Sequence, residues 1–260
     1  MPTRSDRGVE RVLLPIAAAV VVLVVWTLAV QISHTNVFPS PGKVVLGIRE
    51  LMGKGVLWLY VLDSLRRVLS GYLVALVLGI PTGLALGWYP RLASAFNPVI
   101  QICRPISPLA WMPLAIVWFG VSEAAPTFLI FLGAFFPTVV ATMNGVKSVP
   151  SIYIQAGRNF GLSAFAILRT VVFPAALPQV LTGFRLALGI AWLVVVAAEM
   201  IAVDSGLGYL IIDSRNAGKR YDLVVAGMLL IGIIGLGLDT LARRLEKLKS
   251  VRWGFQAETA

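Results

Sequence analysis

Charge is scarce in this chain, and so are the residues that build most catalytic and metal sites. Only 13% of its 260 residues are Asp, Glu, Lys or Arg, whereas 58% are hydrophobic and the mean hydropathy is +0.87. A soluble domain of this length does not tolerate so apolar a composition, and the chain belongs in a bilayer. Cys103 is the one cysteine and His34 the one histidine. The first excludes an internal disulfide; the second excludes His-rich metal sites and a histidine relay. There is no glycine-rich phosphate loop ending in Lys-Ser or Lys-Thr, so the chain cannot hydrolyse ATP by that route. No Ser/His, Cys/His or carboxylate cluster stands at catalytic spacing, which argues against a membrane enzyme and leaves no metal ligands to name.

Acidic residues are the scarcer sign, 12 against 22 basic ones, for a net charge of +10. In a soluble protein that excess would raise nucleic-acid binding. Here the basic residues flank apolar segments instead of forming one patch, so they read as topology signals, with no nucleic-acid partner. Arg4, Arg7 and Arg11 precede an apolar run too long for the core of a secretory signal, which marks an uncleaved first helix.

A helix needs about 20 residues to cross about 30 Å of hydrocarbon. Six stretches qualify: 12–32, 68–88, 99–121, 125–146, 184–203 and 223–241. The expected fold is therefore all-α and polytopic, with both termini on one side. On that topology twelve Lys and Arg lie on the side of the termini and eight opposite, which favours cytoplasmic termini. The chain divides into a first helix with its leading segment (1–34), an outer turn and amphipathic helix (35–67), a helical core (68–241) and a cytoplasmic tail (242–260).

Phe38-Pro39-Ser40-Pro41-Gly42 can only be a turn, because two prolines remove donors and fix φ. Val44, Val45, Ile48, Leu51 and Met52 then recur near helical spacing, as in an interfacial helix. Gly79, Gly83 and Gly87 lie four apart on one face, which lets a neighbouring helix approach closely; Pro81 among them is expected to kink the helix. The segment 147–183 is too long for a simple connection. Pro150-Ser151 can open a short helix there and Gly161 can end it, while a second helix over 163–172 would be stopped by Pro174 and Pro178.

That segment resembles the EAA motif of binding-protein-dependent ABC importer permeases. Gln155, Ala156 and Gly157 occupy the opening, Gly161 follows at the motif's spacing, and Val171, Phe173 and Pro174 complete it; Gln155 for Glu and Gly157 for Ala are departures. Most of the chain is similar to the nitrate, sulfonate, taurine and bicarbonate branch. The matching stretches include Ser64-Leu65-Arg66-Arg67, Arg104-Pro105-Ile106-Ser107-Pro108, Ala197-Ala198-Glu199-Met200 and Gly206-Leu207-Gly208-Tyr209. The resemblance implies a type I importer permease in the bacterial inner membrane. It implies that Gln155 to Gly161, with Arg158 and Phe160, form a cytoplasmic coupling helix seated on a dimer of separate ATPase subunits, which hold the ATP and magnesium; this chain itself binds no cofactor. It also implies a second permease copy, a periplasmic or lipid-anchored solute-binding protein and surrounding lipid as partners.

Five residues are candidates for the solute pathway. Arg104, beside Pro105 and Pro108, either faces a polar path or snorkels to the interface. The two prolines free carbonyls one turn earlier, so Ser107 and Trp111 can line a polar gate or simply pack. Glu199 lies among Val194, Val195, Val196 and Ala197, where a lone carboxylate must be paired, protonated or hydrated. A basic group on another helix suits it better than an anionic solute. An ion-coupled transporter is the competing class, but it leaves the structured cytoplasmic segment unexplained.

Overall fold

The computed structural model describes residues 6–33 and 37–246, and every regular element among them is helical. His34, Arg4, Lys247, Lys249, Arg252 and most of the 242–260 tail lie outside the described residues. In chain order the helices are α1 (Asp6–Ser33), α2 (Pro41–Gly53), α3 (Val56–Trp88), α4 (Pro90–Cys103), a 3-10 turn (Pro108–Trp111) leading into α5 (Met112–Phe119), α6 (Ala124–Lys147), α7 (Ser151–Asn159), α8 (Ala164–Ile167), a π turn (Leu168–Val172) leading into α9 (Phe173–Ala202), α10 (Leu207–Gly218) and α11 (Tyr221–Glu246). Five helical stretches are long and apolar enough to cross a membrane; a bent pair makes a sixth if it counts as one span.

The chain forms two compact units, Met1–Leu59 with Leu210–Leu230, and Tyr60–Tyr209 with Ile231–Ala260. In the first, α2 starts where the proline turn ends, with Pro41 in its opening turn, where no donor is needed. Val44, Gly47 and Leu51 are its buried face, and a Cβ at Gly47 would stand 3.0 Å from Leu223 Cδ2. The polar face is clamped by charge: Glu50 accepts from Lys54 and from Arg220, each at 2.6 Å, and Arg220 also reaches Asp222. Trp26 donates its indole N–H to the Pro39 carbonyl at 3.1 Å, tying α1 to the turn.

The second unit is built on α6 packed against α9 and α3. Leu129, Ile130, Ala134 and Val139 of α6 are buried, as are Ala187, Ala191, Val195 and Ala198 of α9. The three spaced glycines of α3 face α6. A Cβ at Gly83 would fall 2.6 Å from Thr142 Cβ, and one at Gly87 2.5 Å from Val146 Cβ, distances real Cβ atoms do not adopt. Such an approach suits a lipid-facing bundle, where backbone proximity and dispersion replace the hydrophobic effect as the attraction between helices. Near the α7 end, Val146, Ile167, Val172, Ala176 and Val180 make a second apolar core.

Four sequence expectations change in the structure. The second span begins at Val56, twelve residues before 68, so Arg66 and Arg67 are helical instead of lying in a loop. The span expected over 99–121 is two helices meeting at 84°, because Pro105 and Pro108 leave Ser107 and its neighbours without a continuous ladder. The segment 204–222 contains α10 instead of being only a loop. Pro174 and Pro178 do not stop the second helix of 147–183. Pro174 sits in the first turn of α9 after the wider π turn, so a single helical run continues from Ala164 to Ala202.

Two predictions follow from these contacts. Gly83→Ala should destabilise the protein by about 1–3 kcal/mol, the range for overpacking a close contact, whereas Gly42→Ala, with open space around it, should not; thermal unfolding in detergent compares the two. The bonds from Arg220 and Lys54 hold the Glu50 carboxyl down at about 2, against an ordinary 4.5. A depressed acid contributes stability that is full above the unfolded value and lost as pH falls towards the folded one. The melting temperature should therefore decline between about pH 4.5 and about pH 2 less steeply in Glu50→Gln than in the native chain, and salt should weaken the difference.

Candidate functional site

Three features of the second unit carry functional chemistry. The first is a closed charge cluster. Glu199, on α9, is fully buried and Arg67, on α3, is 3% exposed. Arg67 Nη1 donates to Glu199 Oε1 at 2.9 Å and to the Ser205 carbonyl at 2.9 Å, while its Nη2 donates to Glu123 Oε1 at 2.6 Å and to the Ser205 hydroxyl. The other Glu199 oxygen accepts from the Ser64 hydroxyl at 2.8 Å and from the Gly208 N–H at 2.9 Å. Ser64 Oγ in turn accepts from the Leu207 N–H at 2.9 Å. Leu207 and Gly208 open α10, so Ser64 and Glu199 together satisfy N–H groups that a helix start leaves free, and the carboxylate lies where the helix dipole favours negative charge.

Local sequence explains why the cluster closes. Ser64 and Arg67 are three apart on one helix and so share a face. Gly206 takes φ +104, and a Cβ there would collide with the Glu199 carboxylate, so the chain needs glycine to wrap the acid. Glu123, outside the spans, has its carboxyl held below the usual carboxylate range by the hydrogen bond from Arg67.

The second feature is a cavity of about 470 Å³ at the bend between α4 and the 3-10 turn. Arg104, Pro108 and Trp111 line it together with Asn144 of α6 and Gln179 of α9. Ser107 is exposed at the bend and is not among the lining residues. Glu199 stands apart from this cavity, with its oxygens taken up by protein donors.

The third feature is the turn after α7. Gly161 takes φ +75, closing the helix in a left-handed residue: Gly161 N–H bonds to Arg158 O and Leu162 N–H to Gly157 O. Gly157 is buried, and a Cβ there would stand 3.1 Å from Ile167 Cγ1, so α7 lies close on α8. Gln155, Ala156 and Arg158 are exposed, Phe160 is 86% exposed at the tip, and Phe165 is 72% exposed. Val172 is buried at the base, flanked by half-buried Val171 and Phe173; Pro174 is exposed.

Sequence reasoning expected a basic partner for Glu199 but did not find Arg67, Ser64 or Glu123. The signal was the three-residue spacing of Ser64 and Arg67, hidden by placing both in a loop. Asn144 and Gln179 were also missed; each is a lone amide in an apolar run.

The fold is all-α, with five or six candidate spans and an exposed turn between α7 and α8. Residues 75–251 match the family of binding-protein-dependent transport system inner membrane components, and the chain belongs to that family. It is 40% identical over 91% of its length to a putative ABC transporter permease of Methanocaldococcus jannaschii, covering 91% of that protein. It is 37% identical to the taurine transport system permease of Escherichia coli, with 87% of this chain and 86% of that one aligned. A nitrate import permease of Synechocystis is 34% identical over 92% of this chain and 89% of its own. Among solved structures, the inward-facing MetNI methionine ABC transporter superposes with a TM-score of 0.64 at 20% identity, covering 74% of this chain and 96% of that one, which shows the shared fold. The chain is thus a multi-pass inner-membrane permease subunit of an ABC importer, a kind of subunit that is not itself catalytic and works with an ATPase and a solute-binding protein.

Removing one member of the charge cluster strands the other. Arg67→Ala should cost about 3–5 kcal/mol, as for breaking a buried ion pair. Glu199→Gln, which keeps an acceptor for the Gly208 N–H, should cost less, and the order of melting temperatures of the purified variants tests this.

Proposed function

We propose that the chain imports a small anion, as a homodimer with both termini in the cytoplasm, driven by separate ATPase subunits that carry the ATP and magnesium. The observation that carries the coupling part of this reading is the exposed turn at Phe160. A ring 86% exposed at the tip of a short helix, beyond an apolar base of Ile154, Ile167 and Val172, is an anchor without a pocket in its own chain, and buried aromatic anchors dominate protein interfaces. Only Gly161 to Ser163 separate that anchor from the helical run Ala164 to Ala202, which leads into the membrane interior. Gln155, Ala156, Gly157, Arg158, Phe160 and Gly161 form the docking element, and Val171, Phe173 and Pro174 form its root.

The orientation follows from charge. Twelve Lys and Arg on the side of the termini against eight opposite support cytoplasmic termini. The anion reading rests on Arg104, Pro108 and Trp111 at the cavity, with Ser107 at its rim and no acidic side chain among the described lining residues, and on relatives named for taurine, aliphatic sulfonates and nitrate. Glu199 serves as the structural acid at the head of α10 instead of as a contact for solute.

Phe160→Ala should leave folding within about 0.5 kcal/mol, as for an exposed substitution, yet weaken binding of the cognate ATPase about 10- to 30-fold, as for loss of an interface hot spot. Co-purification and uptake measure the two effects. An unchanged complex with unchanged uptake would sink the coupling assignment.

A further inference from the structure

Two spaces in the second unit share one side chain. The first is the cavity at the α4 bend, about 470 Å³. The second is a recess of about 290 Å³, walled by Ser148, Val149 and Pro150 between α6 and α7, by Tyr153 of α7, and by Ala175 and Pro178 of α9. Gln179 lines both. Polar groups cross the boundary on α6 as well: Asn144 lines the cavity, and Ser148, one turn further on, lines the recess. Amides and hydroxyls on apolar membrane helices are tolerated where they face water or protein. The strip Arg104, Asn144, Gln179 and Ser148 therefore marks a wetted way from one space to the other.

The backbone beside Gln179 is closely packed. Gly145 of α6 is buried, and a Cβ there would stand 3.2 Å from Gln179 Cβ and 3.2 Å from the Ala176 carbonyl oxygen. A Cβ at Gly183, one turn beyond Gln179, would collide with Ala141 Cβ. Small residues thus bring α6 and α9 almost backbone to backbone on both flanks of Gln179. The Gln179 side chain itself is exposed, a flexible chain on a fixed base. Pro150 and Tyr153, at the start of α7, form part of the recess wall, so a displacement of α7 alters the space next to Gln179.

We propose that Gln179 is the gate between the cavity and the recess. Its side chain closes the way by bulk and lets solute leave towards the α7 side when it swings aside. The proposal rests on the import reading above and deepens it by naming the exit gate.

Cys103, the chain's one cysteine, lines the cavity and reports on access to it. The test is labelling of Cys103 by a membrane-impermeant methanethiosulfonate in the nucleotide-free permease–ATPase complex, in inside-out and right-side-out vesicles, read by mass spectrometry of the permease. A gate open about 10% of the time or less slows labelling about tenfold, so Gln179→Ala should speed it by about that factor from the cytoplasmic face. Gln179→Met, which keeps the length without the amide, should stay within about twofold of the native rate. Neither variant should change labelling from the opposite face. Unchanged labelling in Gln179→Ala, an equal rise from both faces, or a rise as large in Gln179→Met would overturn the gate. The underlying readings fail separately: loss of the ATPase from the purified complex counts against the coupling assignment, and a rise confined to the outer face reverses the orientation while leaving the gate in place.

Discussion

A fully buried carboxylate organises the part of the molecule where α3, α9 and α10 meet. Burying Glu199 without partners would be prohibitive in a nearly dry interior. Four groups from different places meet that demand: Ser64 and Arg67 from α3, the backbone of Gly208 at the start of α10, and, through the shared arginine, Ser205. The consequences reach outward. Gly206 must be glycine to let the chain pass the acid, α10 must begin where the acid can cap it, and Glu123 is drawn in to share the arginine. Charge satisfaction at one residue thus ties the first residues of α10 to α3 and α9.

Around that point, packing follows the rules of lipid more than those of water. Close approach of α3 and α6 through small residues takes the place of large interdigitating side chains. Many large apolar residues face outward, among them Val77 and Leu193, as a hydrocarbon solvent permits. The broken backbone before Pro108 borders a cavity, consistent with the rule that unpaired carbonyls survive at membrane depth only beside water or protein.

Much of this was legible in the sequence. The long apolar runs marked the spans, the spaced glycines of α3 marked a contact face, and Gly161 with its flanking residues marked the turn between α7 and α8. What escaped had a common physical cause. Hydropathy reports which residues lipid accepts and is blind to helix that continues beyond the hydrocarbon, so Val56 to Arg67 read as a loop and the helix over 163–172 read as separate from the span after it. Pro174 and Pro178 looked like stops because their missing donors were counted as interior losses, while the π turn places Pro174 where no donor is needed. Arg67 was hidden for the same reason, since a residue assigned to a loop offers no partner to an acid in a span.

The 39-residue run from Ala164 to Ala202 is about 58 Å long at the rise of an α-helix, well beyond the thickness of the hydrocarbon layer. Near one extremity sits the projecting ring of Phe160, and near the other the pair of Glu199 with Arg67. The wide π turn at Leu168–Val172 is the place on it where the spiral is least tightly wound. The projecting turn and the buried ion pair thus stand near opposite ends of one helical stretch that outreaches the lipid layer.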